Sequence, residues 1–321
     1  MKDYGEIPGG NKKLKPLLFP FHLRYPQKIW SRYRWWKNSK LSLILPSLNR
    51  KKKLITVIDR LGAPGDALIT ATVIRNLKKV YPDIKCNCIT PYPELVEQDP
   101  HIDSLNQQET FYSLDSTYWE LIVRKEDQIN VVDYNLTKLG ITNFEYDSKF
   151  YLTDQEKNWG MSQFSKLELN KPILAICTRS KESVKNWPIE YWIELLSKLK
   201  PNYEIIQLGD SNEPIFEGVK RFAGKTSMRE SAALLSLVLF FIGPDSLLMH
   251  VANGLNIPSI IIFGGSRPVK SLGYSQNINL SNTPKCSPCW IHDGFEECSH
   301  DLLCMTSISV TKVLSAIKKI A

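Results

Sequence analysis

The chain has 321 residues, 43% hydrophobic and 23% charged, with 16 glycines, a profile that excludes a disordered polyelectrolyte and a collagen-like repeat. Its net charge of +8 is uneven: residues 1–53 hold 14 Lys and Arg against 2 acids, a surplus of +12, whereas residues 54–321 hold 27 bases against 31 acids, or −4. A uniformly basic nucleic-acid-binding protein is excluded as well, because the positive field is confined to one end.

In the basic arm, residues 1–53, Trp30, Trp35, Trp36, Tyr25 and Tyr33 are interleaved with Lys and Arg. That mixture suits an anionic membrane surface, where amphipathic rings and cations both gain. It also suits stacking on single-stranded nucleic acid, or an extension whose aromatics pack on their own domain. The acidic body argues against nucleic acid as a partner. The longest apolar run of the arm, residues 17–21, contains a proline and falls short of the core of a secretion signal, about 7–15 residues. No apolar run reaches the roughly 18 residues that a spanning helix needs. The expectation is a cytoplasmic protein, peripheral on the inner face of the cytoplasmic membrane if the arm binds there.

After the arm, residues 54–58 (LITVI) read as a buried strand, residues 67–81 as a helix ending at Pro82, and residues 84–89 as a second strand. Strand, helix, strand begins a βαβ unit and implies a parallel sheet. The pattern weakens from about residue 104 to 166, where residues 121–123 and 129–134 are possible strands. It then alternates regularly: strand 172–177, helix 189–199 with Pro188 at its start, strand 203–208, helix 227–235, strand 238–242, helix 247–254 and strand 259–263. The second half therefore reads as a doubly wound α/β domain. The expected domains are an arm over 1–53, an N-terminal α/β domain over 54–160, a C-terminal one over 161–305 and a terminal helix over 306–321.

Ligands of such sheets sit where strands end and helices begin, at unpaired amides and the positive end of the helix dipole. Three junctions carry suitable residues. The first is RLGAPGD, residues 60–66, with Arg60, Gly62, Gly65 and Asp66. It matches neither GxGxxG nor a P-loop, and Asp66 taken alone reads as a helix cap. The second is TRSKESVKNWP, residues 178–188, whose Arg179, Lys181 and Lys185 could hold a diphosphate or form a solvated basic loop. The third is GPDSLLMH, residues 243–250, with Asp245, Ser246 and His250, which could bind sugar hydroxyls and phosphate, or act as a cap and a satisfied buried histidine. Of the seven cysteines, Cys286, Cys289, Cys298 and Cys304 form C-x2-C-x8-C-x5-C. They could give a closed, structural four-sulfur site for zinc or iron, or remain free thiols.

Taken together, the strand followed by RLGAPGDALITA, then TRSKESVKNWPIEYW, then GPDSLLMHVANGLNIPSIIIFG, and finally CSPCW, resemble glycosyltransferase family 9, the heptosyltransferases of lipopolysaccharide core assembly. The resemblance covers about residues 54–310. It implies a GT-B fold, α/β with two doubly wound Rossmann-like domains and a cleft between them. It also implies inverting transfer of a heptose from ADP-heptose, or another nucleotide sugar, to a hydroxyl of a lipopolysaccharide-type or other glycan, without a catalytic metal. By match of motif, Asp66 would be the general base and Lys185 would stabilise the leaving diphosphate, helped by Arg179. Asp245, Ser246, His250, Gly264 and Gly265 would contact the donor, and Arg60, Gly62 and Gly65 would shape the acceptor side. The family usually has glycine where this chain has Leu247, and the N-terminal domain is short. A binding protein without turnover therefore stays open. Some family members with a similar cysteine motif bind iron and modify proteins, which keeps a protein acceptor open too.

Overall fold

The structure, a computed structural model, describes residues 40–320 apart from 168 and 292–296. The aromatic positions of the arm, including Trp30, Trp35 and Trp36, lie outside the described residues. The chain divides into two compact units, Met1–Phe150 and Tyr151–Ala321.

In the first unit, residues 40–50 form helix α1. Its Leu41, Leu45 and Leu48 are buried at helical spacing, and Asn49 Oδ1 accepts the amides of Asp83 and Ile84 at 2.9 and 3.2 Å. The end of the basic arm is thus an integral helix of this unit. There follow β1 (Leu54–Asp59), α2 (Pro64–Val80), β2 (Lys85–Ile89), β3 (Ser104–Leu105), β4 (Ser113–Ser116), α3 (Trp119–Arg124) and α4 (Val131–Thr137). The strands run parallel in the order β3-β2-β1-β4. β1 is buried on both faces, which is why it reads as a continuous apolar run rather than an alternation.

Two expected strands of this region are helices. Leu121 and Ile122 are buried on α3, and Val131, Val132, Asn135 and Leu136 are buried on α4. A spacing of one and four residues places each set on one helical face, and Asn130 caps α4 by accepting the amide of Val132 at 2.8 Å. The true strand, β4, has the sequence SLDS and is wholly buried. Its polar groups have partners: Ser113 donates to Glu109, Ser116 pairs with Thr70, and Asp115 binds Arg60.

The second unit runs α5 (Asp154–Ser165), β5 (Ile173–Ile176), α6 (Ile189–Leu199), β6 (Glu204–Gln207), β7 (Lys220–Arg221), α7 (Met228–Leu235), β8 (Phe240–Pro244), α8 (Leu247–Gly254), β9 (Ser259–Ile262), α9 (Val269–Leu272), β10 (Ile278–Leu280), α10 (Leu303–Thr306) and α11 (Val310–Ile317). Its six parallel strands are ordered β10-β9-β8-β5-β6-β7. The order reverses between β5 and β8, the kind of switch point where α/β sheets bind ligands. Trp192, Leu195, Leu196 and Leu199 of α6 and Val313 and Ile317 of α11 pack with Leu174, Ile176, Phe240 and Ile262 of the sheet. Trp187 joins this core and donates its indole N–H to Ile308 O at 2.8 Å.

The unit begins at Tyr151 rather than near 160 because α5 packs on α7. Gly160 lies so close to α7 that a Cβ there would stand 3.0 Å from Ala233 O. Arg229 of α7 also ion-pairs with Glu156 of α5 and donates to Tyr151 O at 2.8 Å.

Candidate active site

The turn after β1 is tied at both ends. Asp66 is 6% exposed. Its Oδ2 accepts the amide of Ala63 at 3.1 Å, and its Oδ1 accepts the hydroxyl of Tyr118 at 2.8 Å. The first contact is a capping interaction at the start of α2, whereas the second comes from beyond β4 and is more than a cap requires. Gly62 takes φ +71°, a conformation glycine adopts at little cost, and so lets the chain turn back from the strand end. Arg60 Nε donates to Asp115 Oδ1 at 2.6 Å, so its charge is offset within the unit. Asp59 and Tyr118 were not singled out from the sequence; the only signal was that Asp59 ends an apolar strand on a carboxylate.

In the second unit, the turn after β5 carries Lys185 on the segment that Trp187 anchors. Lys185 Nζ lies 2.8 Å from Asp245 Oδ2 in an ion pair whose angle falls outside hydrogen-bond geometry, and donates to Asp245 O at 3.3 Å. Burial pushes the Asp245 carboxyl up, but Lys185, with smaller contributions from His250 and Arg267, holds it below the usual carboxylate range. His250 is 5% exposed, and its Nδ1 lies 2.6 Å from the Tyr274 hydroxyl. Burial lowers its pKa to about 4 despite the pull of Asp245, so the ring is neutral at pH 7. Lys185, Asp245 and His250, read separately from the sequence, thus form one electrostatic unit. Ser246 caps α8 without a side-chain capping bond, and Met249 N closes onto Ser246 O at 3.1 Å. The amides ahead of Met249 have no intrahelical acceptor and sit at the positive end of the dipole. Leu247 is half-buried at the first position of this helix.

Arg179 is exposed, and its guanidinium donates to Asn212 O at 3.3 Å. Its loop is shaped from below by Glu213, 4% exposed, which accepts the amides of Thr178 and Arg179 at 2.9 and 3.0 Å, the Thr178 hydroxyl, and Gln207 Nε2 at 3.1 Å. Asn186 Oδ1 closes the far side by accepting Ser180 N at 2.6 Å. Glu213 carried no sequence signal, because it stands in a polar turn 34 residues from the loop it holds.

Gly264 and Gly265 are hemmed in by the cysteine-rich segment. A Cβ on Gly264 would meet Met305 Sδ, and one on Gly265 would lie 2.8 Å from Cys304 Cβ. Ser287 donates to Gly265 O at 2.5 Å, Trp290 N donates to Ser266 O at 2.9 Å, and Arg267 donates to Ile291 O at 3.0 Å. The Cys304 thiol is raised by burial, while the Gly265 amide, donating to it, acts in the opposite direction. Among the described residues no three His, Cys, Asp or Glu side chains are gathered so that they could hold a metal ion. Of the four cysteines, Cys286 is exposed, and the Cys304 thiol accepts the Gly265 amide with Cys289, Cys298 and Cys286 as its electrostatic neighbours. In this structure the segment serves as a brace for the glycine turn.

A family model described as glycosyltransferase family 9 (heptosyltransferase) matches residues 115–299, more than half of the chain. The chain belongs to glycosyltransferase family 9. Its family-9 match includes Arg179, Lys185, Asp245, Ser246, His250, Gly264 and Gly265, and begins beyond the turn that carries Asp66. Lipopolysaccharide heptosyltransferase 2 of Escherichia coli is 26% identical over 132 residues, 36% of this chain and 38% of that protein. The chain thus spans under two fifths of the length of the curated relatives it matches. A solved glycosyl transferase family 9 structure from Veillonella parvula aligns with a TM-score of 0.64 at 14% identity, over 84% of this chain and 97% of that one. The iron-containing dodecameric glycosyltransferase TibC from enterotoxigenic E. coli aligns with a TM-score of 0.66 at 20% identity, over 84% and 75%. These likenesses establish that this family-9 chain has the GT-B fold, two α/β units each built on a parallel sheet.

Proposed function

We propose that this chain is an inverting glycosyltransferase that moves a heptose from ADP-heptose to a hydroxyl of a glycan acceptor. Lys185 supports the reading most strongly: a lysine held between the β5 turn and the α8 amino terminus supplies a cation and amides where a leaving diphosphate would collect charge. In the reaction the acceptor oxygen bonds to the anomeric carbon as the bond from that carbon to the diphosphate oxygen breaks. The acceptor's proton passes to Asp66, and the electron pair leaves with the diphosphate. Asp66 suits the role because it is nearly buried and its second oxygen is oriented by Tyr118. Lys185, the amides at α8 and the helix dipole would offset the departing charge, so catalysis needs no metal. Arg179 lies on the same turn and would reach the outer phosphate. Asp245, Ser246, His250, Gly264 and Gly265 would contact the donor, with His250 neutral. Arg60, Gly62 and Gly65 would shape the acceptor side.

The acceptor favoured here is a lipopolysaccharide-type glycan, reached from the cytoplasmic face of an anionic membrane to which the arm binds; a protein hydroxyl is the alternative. No helix among the described residues is long and apolar enough to cross a membrane. A second reading, a binding protein without turnover, is supported by Leu247, a bulky residue at the first position of α8 where the family usually has glycine. Thermal shift against ADP-, UDP- and GDP-sugars separates these possibilities, since a ligand of the native state raises the melting temperature by mass action. ADP-heptose should give the largest shift. A shift with UDP- or GDP-sugars alone would overturn the donor, and a shift without hydrolysis or transfer would favour the binding protein.

A further inference from the structure

At the carboxyl end of β1 a second carboxyl group is built into the turn that carries Asp66. Asp59 is 4% exposed. Its Oδ1 accepts the amide of Gly62 at 2.9 Å, and its Oδ2 accepts the hydroxyl of Thr90, just beyond β2, at 3.0 Å. The next amide along the chain, Ala63, donates to Asp66 Oδ2. Consecutive amides of one turn are therefore divided between two carboxyl groups, and with little water around them a change of charge on one is felt by the other. Around Asp59, α2 contributes Asp66, β2 contributes Cys88, and the segment after β2 contributes Tyr92. The Cys88 thiol and the Tyr92 phenol are pushed up by burial and by Asp59 itself, so both are neutral near pH 7. On the β4 side the neighbouring charges are the Arg60–Asp115 pair, 2.6 Å apart.

We propose that Asp59 is a positioning residue for Asp66: it fixes the turn through Gly62 and, by holding or releasing its own proton, sets the charge beside the base. The inference rests on the assignment of Asp66 as the base. Asp59 neither touches the acceptor nor takes its proton. Burial, and then the charge of Asp66, raise the Asp59 carboxyl to about 7. Below that pH Asp59 is neutral and Asp66 is the weaker base. Above it the ionised Asp59 increases the affinity of Asp66 for the acceptor's proton, and the two titrate as a pair.

The test is a carbonyl-carbon NMR titration of aspartate-labelled protein from pH 4 to 9, in the wild type, D59N and D66N, joined to pH–rate profiles of transfer. D59N keeps an oxygen for Gly62 and offers an amide to the Thr90 oxygen, so the turn can persist. The expected result is a carboxyl titrating near pH 7 in the wild type, absent in D59N and moved down by about one unit in D66N. The wild-type rate should inflect near pH 7, and D59N should lose that inflection. An inflection retained in D59N, or an Asp59 titration unchanged in D66N, would overturn the pairing; the D66N arm decides even if D59N does not fold. The NMR result needs no turnover. A coupled titration in a protein that transfers nothing counts for the pair and against the transferase reading.

Discussion

Lys185 and Asp245 show how much of the site is decided by single charges. Each is almost withdrawn from water, with side-chain exposures of 12% and 4%, so each depends on the other until a ligand arrives. K185M strands a buried carboxylate and should lower stability by about 3 kcal/mol, with most of the loss recovered in K185M/D245N; equilibrium urea unfolding measures both. In the wild-type background K185M should also reduce kcat by about 10²-fold or more, as expected for removal of a group that stabilises developing charge. His250 and Asp59 give opposite pH signatures. Between about pH 6.5 and 4 the unfolded chain protonates its histidine before the folded one does, so His250 makes stability fall with falling pH. Asp59 protonates first in the folded state, so its contribution is fully present below about pH 3.8 and is lost as pH rises towards 7. Unfolding free energies of H250Q and D59N across pH 4–8 should each lack one of these slopes. The sequence showed Asp66, Lys185, Asp245 and His250 as residues at strand ends, because strand-to-helix junctions are legible from periodicity. It did not show that Tyr118 bonds Asp66, that Asp59 accepts the Gly62 amide of the same turn or that Glu213 holds the amides of Thr178 and Arg179, since those partners come from elements remote in the chain or, for Asp59, look like the end of a strand.

At the scale of elements, the regular half of the chain was readable because parallel strands buried on both faces are continuously apolar and their helices are amphipathic. The helix α6 lies where the spacing of its apolar residues places it. The first unit was harder for the same reason in reverse. β4 carries Ser113, Asp115 and Ser116 inward, satisfied by hydrogen bonds that no local pattern reveals. The short helices α3 and α4 offer too few turns for a period to separate them from strands. The α5–α7 contact is set by Gly160, whose missing side chain lets the helices touch. G160V should push α5 away from Ala233 and cost about 1–3 kcal/mol, measured by thermal or denaturant unfolding. The Glu156–Arg229 pair, which holds the Glu156 carboxyl down at about 2, should weaken with it.

For the whole molecule, the excess of positive charge lies in residues 1–53, of which residues 40–50 are a helix of the first unit. Leu41, Leu45 and Leu48 bind residues 40–50 into the first unit, so a deletion that tests the arm stops at residue 39. Deleting 1–39 should leave melting temperature and donor affinity near the full-length values while weakening association with vesicles containing anionic lipid, read by sedimentation. Deleting 1–50 also removes three buried leucines, each worth about 1.5–3 kcal/mol, and should lower the melting temperature sharply. Unchanged vesicle binding after the shorter deletion would place the membrane-facing surface elsewhere. The reaction proposed is transfer from a nucleotide sugar with Asp66 as the base. Its most direct test is the initial rate of transfer from ADP-heptose by the wild type and D66N, with donor affinity measured in parallel by calorimetry. D66N should bind the donor with near wild-type affinity and transfer at least about 10²-fold more slowly; near-normal turnover by D66N would contradict the assignment of Asp66 as the base.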